Sequence, residues 1–211
     1  MINRAVTVGR VDYIVSSLDK NFLVPVGGAI IYSPSASLVK ALGKSYPGRA
    51  SAAPILDLFV TLLEMGARTY EGLLATRRRM IAPFRARLAE VAARYGERVL
   101  DTLEGNSISH GITLNEFKNP TMVGSMLFSR QVSGARTIKS GERKEIGGIV
   151  LEGFGSSCDD YNNAYLTAAV AIGFDEKEAD EFLARLDKTL TDLKKKEAKD
   201  EKKAAAAAVA E

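Results

Sequence analysis

The 211-residue sequence has a single cysteine, Cys158, and a single histidine, His110. One thiol cannot build an intrachain disulfide framework, which fits a reducing compartment. One imidazole, with no Cys, Asp or Glu at ligand spacing, makes no zinc motif, so no metal is expected and His110 should pack in a sheet. No apolar run approaches a membrane span, and the first residues lack the apolar core of a signal peptide. The expected setting is cytoplasmic, with no membrane partner. Charge of one sign is scarce as well: 29 Lys and Arg face 26 Asp and Glu, a net +3. That is too little to announce a nucleic-acid binder from global charge. There is no internal repeat.

What is present is the balance of a soluble globular protein, 46% hydrophobic and 26% charged. The length suits one domain, or one domain with part of another. Charge is uneven locally: between 68 and 98 arginines face only Glu71, Glu90 and Glu97. Such a run is either a footprint for phosphates or a solvated helix face, and the second is the usual outcome.

Along the chain, Val11–Val15 and Gly27–Tyr32 read as short buried strands joined by a turn rich in Asn, Pro and Gly. Ser35–Lys44 reads as a short helix. Pro54 opens another that ends near Gly66, followed by a long helix from Arg68 to Tyr95 that Pro83 should kink or interrupt. Arg77 falls on that helix's apolar stripe and should be buried and paired. Ser107–Leu114 reads as a strand, Asn119–Gln131 as a helix and Glu145–Phe154 as a glycine-interrupted strand. The polar loop 155–163 then leads into an Ala-rich helix from Ala164. Asp175 caps a last helix with Ala179, Phe182, Leu183, Leu186, Leu190 and Leu193 as its stripe. Residues 197–211 form a low-complexity charged and Ala-rich tail, partly helical or disordered. This mixture suits an α/β or α+β architecture.

The stretch around which the chain is organised is Ser16-Ser17-Leu18-Asp19-Lys20-Asn21-Phe22-Leu23-Val24-Pro25-Val26-Gly27-Gly28. Lys20 stands between the two strand-like runs. An ammonium buried there would lose hydration and its pKa would fall, giving an amine nucleophile fit for Schiff-base chemistry at neutral pH. The alternative is a solvated strand end on which Lys20 pairs with Asp19. Arg49 stands between Gly48 and Ala50, small neighbours that leave its fork open to phosphate or carboxylate. Arg130 and Arg136 bracket a Ser-Gly turn, a spacing that could hold a phosphate backbone or a guanine edge. Lys194, Lys195 and Lys196 follow the last stripe, where cations complement a helix C-terminus.

The stretch Ser17 to Ile31 resembles the lysine segment of the O-phosphoseryl-tRNA(Sec) selenium transferases, the selenocysteinyl-tRNA(Sec) synthases. The likeness continues through Tyr46-Pro47-Gly48-Arg49-Ala50-Ser51-Ala52. It returns at Gly124 to Arg136 and at Ala164-Tyr165-Leu166, covering the chain to about Lys196. The resemblance implies the type I fold of pyridoxal-phosphate-dependent transferases within the α/β class. Residues 1–66 would be the end of the cofactor-binding large domain, 67–196 a C-terminal α+β domain and 197–211 the tail. A larger region precedes this segment in the family, so the chain is expected to be its C-terminal portion, inactive alone. The implied reaction converts O-phosphoseryl-tRNA(Sec) to selenocysteinyl-tRNA(Sec) with selenophosphate, in a homo-oligomer, a tetramer by resemblance. Lys20 would hold pyridoxal 5'-phosphate, and Arg49 would contact the substrate phosphate. Arg130 and Lys195, with Arg136 as a lesser neighbour, would contact the tRNA. Thr7 stands where the family carries a tRNA-contacting arginine. Two other readings remain: a non-catalytic fragment that binds tRNA or drives oligomerisation, and another type I pyridoxal enzyme acting on a free amino acid.

Overall fold

The computed structural model describes residues 2–46, 48–49, 51–101, 108–156 and 161–210, the side chains of 208–210 excepted. Cys158, Pro47, Ala50 and the expected strand start at Ser107 lie outside the described residues. The chain divides into two compact units, one reaching to Thr76 with Ala171–Gly173, the other holding Arg77–Val170 and Phe174 onward.

The first unit contains α1 (Ile2–Val8), β1 (Ile14–Ser17), α2 (Leu18–Phe22), β2 (Ala29–Tyr32), α3 (Ala36–Ser45) and the start of α4 (Ala53–Ala93). Strands β1 and β2 pair antiparallel, with Ile14 opposite Tyr32 and Ser17 opposite Ala29. The first strand therefore begins three residues later than the apolar run suggests. The expected corner between the strands is a helical turn, because α2 starts where β1 stops. Leu18 N–H donates to the Gly28 carbonyl at 3.0 Å. A side chain at Gly28 would meet Leu18 Cδ1 at 2.6 Å and Pro54 Cβ at 2.7 Å, so glycine is what lets these segments close. Leu18 and Val24 are the fully buried apolar residues described in this unit, whereas Ile55, Phe59 and Leu63 on α4 are exposed.

Helix α4 holds a non-helical residue at Gly66, with φ 69° and ψ 161°. Its two helical stretches thus meet at the residue whose missing Cβ permits that conformation. Pro83 lies within the helix without interrupting it, and Gly66 is the interior position with non-helical angles.

The second unit contains the rest of α4, β3 (Ser109–Thr113), α5 (Pro120–Ser129), β4 (Arg136–Ile138), β5 (Lys144–Ile146), β6 (Ile149–Leu151), β7 (Tyr165–Ala169) and α6 (Glu176–Ala210). Its sheet has the order β3-β7-β4, antiparallel throughout, pairing Thr113 with Tyr165 and Arg136 with Thr167. The Ala-rich segment after Ala164 is therefore the central strand, not a helix. Leu166 and Ala168 are buried on it while Tyr165 and Thr167 are half-buried, a period of two that suits a strand between partners. The expected strand Glu145–Phe154 is a hairpin, β5 with β6, turned by Gly147 and Gly148 at φ 59° and 80°. Helix α6 begins where Asp175 Oδ1 accepts the Glu178 N–H at 2.9 Å, and it runs through the tail to Ala210.

The core of this unit joins Phe84, Leu88 and Val91 of α4 with Ile112, Val123, Leu127, Leu166 and the α6 stripe Leu183, Leu186, Leu190 and Leu193. His110 is 2% exposed, 5.9 Å from the Phe84 ring, and neither of its ring nitrogens has a hydrogen-bond partner among the described residues. Burial, followed by the charge of Arg85, holds its pKa below the usual histidine value.

Candidate functional site

Lys20 sits in the middle of α2, a helix of five residues. One turn is too short to hold itself, so its place comes from contacts outside it. Leu18 is buried and tied to Gly28. Asn21 Nδ2 donates to the Ser17 carbonyl at 2.7 Å. The Tyr70 hydroxyl donates to the Asn21 carbonyl at 2.8 Å, and the Tyr70 ring stacks on Phe22 at 6.2 Å. Leu23 closes the turn in the left-handed region, φ 59° and ψ 34°.

The Lys20 side chain is 77% exposed, and Nζ pairs with Asp19 Oδ2 at 3.2 Å. This corrects the expectation of a desolvated amine and agrees with the alternative of a solvated one paired with Asp19, held on a helical turn at the surface where a strand end was expected. Asp19 accepts from the Ser17 hydroxyl too. That bond, chiefly, and Lys20 hold its carboxyl below the usual aspartate value, against a smaller opposing effect of burial. A carbonyl-bearing cofactor needs an approachable amine, and Lys20 provides one. No cation from another element hydrogen-bonds to α2 among the described residues, so the fit is to the amine and not to a phosphate cradle.

Arg49 is exposed beyond α3, and no hydrogen bond or ion pair joins it to α2 among the described residues. Its neighbour Gly48 lies under the Tyr46 ring, whose Cε1 is 3.6 Å from where a Cβ would stand.

In the second unit Arg130 ends α5. Its guanidinium donates to the Met126 carbonyl at 3.1 Å and pairs with Asp192 of α6 at 2.7 Å, leaving a quarter of the side chain exposed. It borders a shallow groove of about 500 Å³ with Lys177, Asp180, Glu181, Arg185 and Lys188 of α6. Asp180 pairs with Arg87, and Glu181 with Arg185. Lys177 and Lys188 are exposed without an ion pair among the described residues. The groove is cationic. Lys195 is exposed on α6, seven residues beyond Lys188 and so roughly 10 Å along the same face. Its neighbour Lys194 turns inward instead, donating to the Glu116 carbonyl with Nζ 4.7 Å above the Phe117 ring. Arg136 is exposed at the start of β4.

Three arginines of the arginine-rich stretch form ion pairs among the described residues. Arg87 and Arg94 pair with Asp180 and Asp187, seven residues apart on each helix, so α4 and α6 run side by side in the same direction. Arg85 faces Asp101 at 3.7 Å. Arg77 departs from the expectation of a buried pair. It is half-buried, and its Nε is enclosed without a hydrogen-bond partner among the described residues. Thr7 lies in α1 and donates to the Asn3 carbonyl at 2.7 Å.

Two features escaped the sequence reading. The stripe Lys177, Glu181, Arg185 and Lys188 recurs at helical spacing and was available from the pattern alone. Tyr70 lies 49 residues from Asn21, and no local pattern could link them.

The sequence profile described as "O-phosphoseryl-tRNA(Sec) selenium transferase, SepSecS" matches residues 1–191. A relative from Dictyostelium discoideum, named O-phosphoseryl-tRNA(Sec) selenium transferase, is 41% identical over 206 residues, covering 89% of this chain and 43% of its own length. One of the same name from Methanopyrus kandleri is 34% identical over 191 residues, covering 90% of this chain and 42% of its own. A crystal structure of archaeal O-phosphoseryl-tRNA(Sec) selenium transferase superimposes with a TM-score of 0.73 at 31% identity, over 85% of this chain and 38% of that one. The chain thus spans about two fifths of the length of the relatives it matches.

Proposed function

The chain belongs to the O-phosphoseryl-tRNA(Sec) selenium transferase family, and from that premise we propose that it carries the lysine, phosphate-binding and tRNA-positioning residues for converting O-phosphoseryl-tRNA(Sec) to selenocysteinyl-tRNA(Sec) with selenophosphate. The match over residues 1–191, which takes in the accessible amine of Lys20, is the observation that carries this reading. The site takes pyridoxal 5'-phosphate within a type I transferase fold. When bound, this cofactor supplies the electron sink for β-elimination.

The tasks of this chain's residues follow from their chemistry. Lys20 would hold the cofactor through Nζ, and as a free amine would move the proton at the substrate Cα. Asp19 pairs with that amine at the surface of α2. Arg49 is unpaired among the described residues and carries no side chain on the preceding residue, so its fork is open to grip the leaving phosphate as the Cβ–O bond breaks. The selenium of selenophosphate then adds at Cβ as a proton returns to Cα, and water takes the phosphoryl group as the Se–P bond breaks, leaving the selenol and inorganic phosphate. Arg130 and Lys195, with Arg136 as a lesser neighbour, hold the tRNA end, and Arg130 borders the cationic groove lined by Lys177, Arg185 and Lys188. The rest of the cofactor's cradle is assigned to the portion of the relatives that this chain does not match, in a homo-oligomer in the cytoplasm. No helix among the described residues is long and apolar enough to cross a membrane.

Binding of the selenocysteine tRNA and of bulk tRNA, each titrated with salt, tests the proposal. The selenocysteine tRNA should bind more tightly, and Arg130→Gln should narrow the gap while leaving bulk tRNA within about threefold. Equal affinity for both would favour a pyridoxal enzyme acting on a free amino acid.

A further inference from the structure

We propose that Tyr70 is a positioning residue for Lys20, holding the lysine turn from outside through one hydrogen bond and one ring contact. The proposal rests on the reading of Lys20 as the cofactor-binding amine. A helix of five residues cannot sustain its own geometry in water, since a single turn fixes more dihedral angles than its hydrogen bonds repay. The direction of Lys20 must be set elsewhere. On the side before the lysine, Leu18 is buried, bonded to the Gly28 carbonyl and closed over by Gly28. After it, Asn21 bonds back to Ser17, and the hydrogen bond and ring contact that reach the turn from a distant element come from Tyr70. Its hydroxyl donates to the Asn21 carbonyl at 2.8 Å, and its ring lies at 21° to that of Phe22.

Leu23, the residue after Phe22, caps the turn in the left-handed region and starts the chain back toward β2. Tyr70 touches neither Lys20 nor its ion pair with Asp19 in the described contacts, so it acts through the turn. Tyr70 itself is half-buried on α4 and is carried by a long helix, a stiffer base than the turn it holds.

The test measures the reactivity of one amine against internal references in the full chain joined to the portion of the Dictyostelium discoideum relative that it does not match, to which the rest of the cofactor's cradle is assigned. Pyridoxal phosphate below stoichiometry is trapped with cyanoborohydride, which reduces the carbon–nitrogen bond formed as the amine adds and water leaves. Peptide mass mapping then gives labelling at Lys20 relative to Lys40 and Lys44, both exposed on α3. In the unaltered chain Lys20 should lead both. Tyr70→Phe keeps the ring and removes the hydrogen bond, and should lower the Lys20 ratio about two- to tenfold. Tyr70→Leu should lower it further, with Lys40 and Lys44 labelled as before and the thermal midpoint of the second unit unmoved. An unchanged ratio in both variants, with Lys20 still leading, overturns the positioning role and leaves Lys20 standing. If Lys20 reacts no faster than Lys40 in the unaltered chain, the reading of Lys20 itself fails and takes the role of Tyr70 with it.

Discussion

His110 carries the clearest residue-scale consequence, because a neutral imidazole enclosed beside Phe84 cannot take up a proton without a partner. Its folded pKa lies below the ordinary value, by burial first and by Arg85 second. Above that ordinary value, roughly 6.5, folded and unfolded chains bind no proton there and the group is silent. As pH falls through it, the unfolded chain gains a proton that the folded chain refuses, and stability declines. Urea midpoints at pH 7.5 and 5.5 should therefore differ, and His110→Leu should shrink that difference. A variant with the same pH dependence as the parent would remove His110 from the account. This histidine's place in the sheet was legible from its isolation among ligand types. For Lys20 the sequence left a buried amine and a solvated one paired with Asp19 both open; the second is found, on a helical turn where a strand end was expected, because two apolar runs flanking a lysine look the same whichever joins them. Arg77 shows the limit again: periodicity placed it toward the interior but could not tell that its Nε would lack a partner.

At the scale of elements, α5 and β4 meet through a glycine. A Cβ at Gly124 would run into Thr137 Oγ1, while Thr137 Cβ would remain at an ordinary 3.5 Å. Gly124→Ala should cost about 1–3 kcal/mol by overpacking, although alanine is the better helix former. Adding Thr137→Ala removes the obstructing oxygen, so the double variant should recover to within about 1 kcal/mol of the parent by denaturant unfolding. Additive losses would mean that the two elements do not approach as closely as described. The same region shows why β7 was misread. Ala164, Ala168 and Ala169 favour helix intrinsically, yet the segment pairs with β3 on one side and β4 on the other, where small residues fit a buried central strand. Tertiary pairing overrode propensity. In α6 the two agreed, and the leucine stripe read from the sequence is the one buried.

At the scale of the whole molecule, the two units are unequally furnished. The second holds the contiguous core, whereas the first buries Leu18 and Val24 and exposes Ile55, Phe59 and Leu63. Exposed apolar surface of that kind marks a face built to be covered. It accords with a chain that matches about two fifths of its relatives' length, with Lys20 and Arg49 on the sparsely packed unit. The most direct measurement joins this chain to the portion of the Dictyostelium discoideum relative that it does not match. The chimera is loaded with pyridoxal phosphate, and its visible absorbance is recorded with its selenium transfer to O-phosphoseryl-tRNA(Sec). The account predicts that the chimera shows both the cofactor band and turnover, and that Lys20→Ala loses both while its fold and tRNA affinity persist. A Lys20→Ala chimera that keeps its band and its turnover would contradict it.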